Sequence, residues 1–83
     1  MAKKISMGEF ERDIKPALFQ RGLSAQNRNE VHVAVDAYMR ERPDGGESMS
    51  AADVEEMVAS FRKYKTLPER HTNALHEEFK KRL

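Results

Sequence analysis

Met49-Ser50-Ala51-Ala52-Asp53-Val54 spells the start of an α-helix. The Ser50 hydroxyl is placed to accept a hydrogen bond from an unpaired amide of the first turn. The Asp53 carboxylate, three residues on, is placed to reach back to the amide of Ser50. Met49 and Val54 bracket this capping box as a hydrophobic staple, which sets the angle at which the chain enters the helix. A carboxylate in the first turn also suits the helix dipole. The same wording occurs at Ile5-Ser6-Met7-Gly8-Glu9-Phe10, staple included, and without the staple at Thr66-Leu67-Pro68-Glu69. Three boxes divide the chain into helices. The expected fold is therefore all-α, a compact four-helix domain over residues 1–83, orthogonal or bundle-like, with a fifth helix if the first one breaks.

The helix after Ser6 presents Phe10, Ile14, Ala17 and Leu18 on one face and closes at Gly22, with Leu23 as the apolar contact of its cap. Pro16 lies inside it, where a proline deletes a backbone hydrogen bond and crowds an earlier carbonyl, so a kink or break is expected near Lys15. Ser24 caps the second helix without a box, since Asn27 stands where the acid would be. That helix runs to about Arg42, stops at Pro43, and buries Val31, Ala34, Val35 and Tyr38, with Met39 at the edge. Val31, Val33 and Val35 also alternate as a strand would, but no other segment offers such a strand a partner. Residues 1–5 read as a flexible N-terminus. Residues 43–49, built on Pro43-Asp44-Gly45-Gly46-Glu47, read as the mobile loop between two helical hairpins. The third helix, Ala51 to about Tyr64, buries Val54, Met57, Val58, Phe61 and Tyr64 or Lys65. The fourth starts at Leu67 with Pro68 in its first turn and buries His71, Ala74, Leu75, Phe79 and Leu83. The expected core is Phe10, Ile14, Leu18, Val31, Val35, Tyr38, Val54, Met57, Val58, Phe61, Leu75 and Phe79. No internal repeat is visible.

A content of 39% hydrophobic and 35% charged residues in 83 fits one soluble domain with a thin core, for which self-association or a docked partner would add stability. Without cysteine there is neither a disulfide framework nor a thiolate metal site, which makes the cytoplasm the expected compartment. The first twenty residues lack an apolar signal core and no apolar run approaches the length of a membrane span, so no membrane role is expected. The net charge of +1 argues against a strongly basic nucleic-acid binder.

Motifs for chemistry are sparse. His71 and His76 are five residues apart and fall on different sides of a helix, so they do not chelate together. His32 and Asp36 have ligand spacing, but two ligands make no metal site. His76-Glu77-Glu78 lacks the second histidine of a zinc-protease motif. With no cysteine nucleophile, glycine-rich phosphate loop or glycine-flanked serine, no catalytic residue is assigned and an enzyme is not expected. No cofactor and no small-molecule substrate is implied. The methionines Met39, Met49 and Met57 could line an adaptable groove but read better as core filler.

The stretch from Asp44 to Asp53 resembles the second half of an EF-hand loop and its exiting helix. With Met49 at the central hydrophobic position and Asp53 at the twelfth, Arg42 falls at the first ligand position and Glu47 where the sharp turn wants glycine. The resemblance implies an EF-hand-like pairing that does not bind calcium.

The expected function is that of a small non-enzymatic protein that docks on another protein or on itself. A second reading makes helices three and four a nucleic-acid-binding helix-turn-helix, with Arg70, Asn73, His76, Glu77 and Lys80 on one side of its last helix. For a nucleic-acid or protein partner the candidate contacts are Arg62, Lys63, Lys65, Arg70, Lys80, Lys81 and Arg82. Their clustering at helix C-termini also follows from the dipole alone.

Overall fold

Serines cap the first three helices. Ser6 Oγ accepts the Glu9 amide at 3.1 Å and Ser24 Oγ that of Asn27 at 3.2 Å. Ser50 completes the box, its Oγ accepting from Asp53 N–H at 3.3 Å while Asp53 Oδ2 accepts from Ser50 N–H at 3.0 Å. The computed structural model describes residues 3–42 and 48–83 and carries four helices. These are α1 over residues 7–19, α2 over Ala25–Arg40, α3 over Ala51–Tyr64 and α4 over Glu69–Arg82. The fold is the all-α domain expected, and the valine-rich segment 31–35 is helical.

Pro16 does not split α1. The helix is α over Met7–Glu9, widens to π over Phe10–Ile14, and resumes as α over Lys15–Phe19, with the Lys15 amide reaching back to the Phe10 carbonyl. At the place of the expected kink or break the helix makes a wide turn, which loosens the hydrogen-bond ladder just where proline has no N–H to offer. The Asp13 carbonyl in that turn accepts a hydrogen bond from Arg82 Nη2 at 3.1 Å.

The third capping box does not form. Lys65 is left-handed (φ 53°) and the Thr66 amide donates to the Phe61 carbonyl at 3.0 Å, so Thr66 closes α3 rather than opening α4. Pro68 takes the cap position of α4, its carbonyl accepting both the amide and the hydroxyl of Thr72. Leu67 precedes the helix and is buried. Gly22 (φ 90°) plays the part of Lys65 at the end of α1, where the Leu23 amide donates to the Leu18 carbonyl and the Gly22 amide to that of Phe19. A side chain is strained in this region of backbone space. We therefore expect Lys65→Gly to raise stability by up to about 1 kcal/mol and Gly22→Ala to lower it by about 1–2 kcal/mol, as read by urea midpoints at constant slope.

Two short strands were not foreseen. Ile5–Ser6 and Ser48–Met49 pair antiparallel, Ile5 opposite Met49 and Ser6 opposite Ser48. Both apolar members are buried, so Ile5 is pinned rather than part of a flexible N-terminus, and Ser48–Met49 belongs to the ladder rather than to the central loop. A two-residue strand is too short for alternation to reveal it. Pro43–Glu47, the expected mobile hinge, lie outside the described residues.

The pairing exposes a repeat that the letters hide. Each half runs strand, helix, turn, helix, and six core residues of the second half stand 44 positions after six of the first: 5 and 49, 10 and 54, 14 and 58, 23 and 67, 31 and 75, 35 and 79. Only the apolar character repeats, not the residue. The halves share one core, which holds every expected residue except Tyr38; that ring is half-buried, edge-on to Phe61 with centroids 6.4 Å apart. Ile5, Leu23, Met39, Met49, Leu67 and Ala74 complete it, so the three central methionines, Met39, Met49 and Met57, are all core. Tyr64, expected on the buried face of α3, is 69% exposed with Lys63 Nζ 5.4 Å over its ring.

Candidate functional site

The structure divides the seven candidate contact residues between opposite ends of α4. Arg62, Lys63, Lys65 and Arg70 surround the α3–α4 turn, whereas Lys80, Lys81 and Arg82 close the far end, about 16 Å along the helix. Several have intramolecular partners. Arg62 Nη2 donates to Asn73 Oδ1 at 2.8 Å, and His76 Nε2 lies 2.7 Å from Glu55 Oε1, so two side chains of the expected recognition face lie against α3. The His76 hydrogen bond holds the Glu55 carboxyl below its ordinary value.

Glu78 is the partner of the terminal cations. It is 4% exposed and forms ion pairs with Arg21 from the end of α1, with Lys81 at 3.5 Å and with Arg82 Nη1 at 2.9 Å. Burial by itself would raise the pKa of this carboxyl. Hydrogen bonds from Arg21 and Arg82, with the charges of Arg21 and Lys81, outweigh that effect and hold it below the usual range. The cluster lines the crevice between α1 and α4, beside Ala17 and Gln20. Lys81 and Arg82 were legible as i+3 and i+4 neighbours of Glu78; Arg21, 57 positions away, was not.

The equivalent crevice of the other half, between α2 and α3, has lost this ionic filling. Shifted by 44 positions, Glu78, Lys81 and Arg82 become Ala34, Ala37 and Tyr38, while Ala17 and Gln20 become Phe61 and Tyr64; all five line it. What is an ion-paired seam on one side is, on the other, a trough of alanine and aromatic side chains with Glu41, Ser60 and Thr66 beside them. The trough continues along α2 past Val33 and Glu30 to Leu67. Val33 is 69% exposed in the middle of it. The sequence puts Ala34 on the buried face of α2 and marks Val33 only through its alternation with Val31 and Val35. The signal was a lone β-branched residue on an otherwise polar stripe.

Histidine chemistry is absorbed by packing. His32 lies between Glu11 (3.0 Å) and Lys15 (2.9 Å) and edge-on to Phe10, while Asp36 pairs with Arg40. His71 is buried. Among the described residues no three histidine, aspartate or glutamate side chains gather as a metal site, and no helix is long and apolar enough to cross a membrane. No protein-family model, curated protein or solved structure matches the chain.

Proposed function

We propose that this is a non-enzymatic cytoplasmic protein that works by docking a polypeptide on the trough beside α2. The observation that carries the reading is the contrast between the two related crevices: one is filled by its own charged side chains, and the other presents Val33, Ala34, Ala37 and Tyr64 to solvent. Apolar surface that is rimmed by polar groups gains most from being covered by a chain. A photoreactive side chain at position 33 should capture a polypeptide in the source cells, whereas one at the exposed position 56 on α3 should not. Capture from neither position would overturn the reading.

One observation favours an EF-hand-like pairing that needs no calcium. In that register Ser48 is the seventh loop position, whose carbonyl faces the ion, and Asp53 is the twelfth. Arg42 Nη1 donates to the Ser48 carbonyl at 2.8 Å and its Nη2 pairs with Asp53 Oδ2 at 3.1 Å. A guanidinium thus bridges the two groups that a divalent cation would bridge. The Asp53 carboxyl is held below its ordinary value first by the Ser50 backbone hydrogen bond, with Arg42 contributing. Arg42→Ala should cost about 1.5–3 kcal/mol, and millimolar calcium should leave the melting temperature of the native protein unchanged. A calcium-dependent rise in that temperature would remove this reading.

A further inference from the structure

We propose that the occupant of the trough is a second copy of this chain, with α2 packed antiparallel on its counterpart about a twofold axis. This rests on the docking reading above and names its partner. The exposed seam of α2 is Gln26, Glu30, Val33, Ala37 and Arg40, spaced 4, 3, 4, 3 along the helix, the spacing of one coiled-coil face. Antiparallel pairing centred between Val33 and Ala37 sets Val33 on the Ala37 of the other copy. The same register sets Glu30 opposite the other copy's Arg40. Large faces small and acid faces base, twice each, as an isologous interface requires. The small Ala37 allows close approach of the two helices, whose antiparallel dipoles also agree.

The pair at Arg40 is available for exchange. Its present partner, Asp36, is one turn away on the same helix, and the Arg40 side chain is 79% exposed, so little is lost when it turns to a carboxylate across the seam. Tyr64, exposed at the edge of the trough, extends the contact beyond α2. The seam is short beside the roughly 1,600 Å² of a standard interface, so pairing belongs to tens of micromolar and above.

Sedimentation equilibrium of the full chain from about 10 μM to 1 mM should show the mass rising towards twice that of the monomer. Val33→Asp should weaken association at least about tenfold without changing the circular-dichroism spectrum or melting temperature, since the residue faces solvent. The decisive measurement uses two charge reversals. Glu30→Arg and Arg40→Glu should each be monomeric alone, because each sets like charges across the seam, and an equimolar mixture should pair again, because both ion pairs are then restored. An association constant unchanged by Val33→Asp, or a mixture that stays monomeric, would overturn the proposal. If the native chain is a monomer throughout while position 33 still captures a different polypeptide, self-pairing falls and docking stands. If neither occurs, both fall.

Discussion

Removing both guanidinium partners of Glu78, in Arg21→Ala/Arg82→Ala, is expected to lower stability by about 3–5 kcal/mol. The loss comes less from missing attraction than from what is left behind: a carboxylate 4% exposed, with only Lys81, itself 61% exposed, to neutralise it. A domain of this length has roughly 4–12 kcal/mol in total, so the variant stands near the limit of folding. Removing the anion instead should be milder, about 1.5–3 kcal/mol for Glu78→Ala. Arg21 and Arg82 are partly exposed and can turn to water, and Ala34 already occupies the equivalent place in the other half.

The two variants also differ in how stability depends on pH. In the native protein the folded Glu78 pKa lies below its ordinary 4.5. Its contribution is therefore complete above about pH 4.5 and is lost as pH falls through the lowered value. Without the two arginines burial dominates and the folded pKa rises above 4.5, so the sign reverses: the double variant gains stability as pH falls through that raised value. Urea unfolding between pH 3 and 7 measures both. A double variant no weaker than Glu78→Ala, with an unchanged pH profile, would show that the cluster is a solvated surface pair.

Phe79→Ala is expected to cost about 3–5 kcal/mol. The ring is fully buried and lies nearly parallel to Phe10, with centroids 5.9 Å apart at 22°, so its loss opens a void where α4 meets the π turn of α1. Phe79→Leu retains most of the volume and should cost less than about 1.5 kcal/mol. Phe19 is the internal control. It is 65% exposed, beneath Arg28 at 5.1 Å, and its removal should change stability by no more than about 1 kcal/mol. Denaturant midpoints at unchanged slope would separate these outcomes. Equal costs for Phe79→Ala and Phe19→Ala would contradict the packing described here.

Local chemistry was legible where a residue acts on its own neighbours. Ser6, Ser24 and Ser50 cap as expected because a hydroxyl and an amide three residues away meet in any helix that starts there. Thr66 failed because two local motifs compete for it. Its amide is needed to close α3 once Lys65 turns left-handed, and α4 then starts two residues later than the box implies. At Pro16 the type of disturbance was legible but not its form, since a π turn and a break both relieve a missing N–H.

The candidate site was less legible. Glu78 and Ala34 occupy equivalent positions in the two halves, yet the acid is buried in a filled crevice and the alanine lines an open one. Burial there depends on what lies across the crevice: Arg21 in one half, open space beside Ala34 and Ala37 in the other.

The amino-acid sequence by itself determined the helical class, three of the helix starts and most of the core, because capping and 3.6-residue periodicity act over one or two turns. The strand pairing of Ile5 with Met49, the 44-residue repeat, the buried Glu78 cluster and the open trough were decided only by the tertiary structure. Each joins residues far apart in the chain, and no short-range pattern encodes which of them come to face one another.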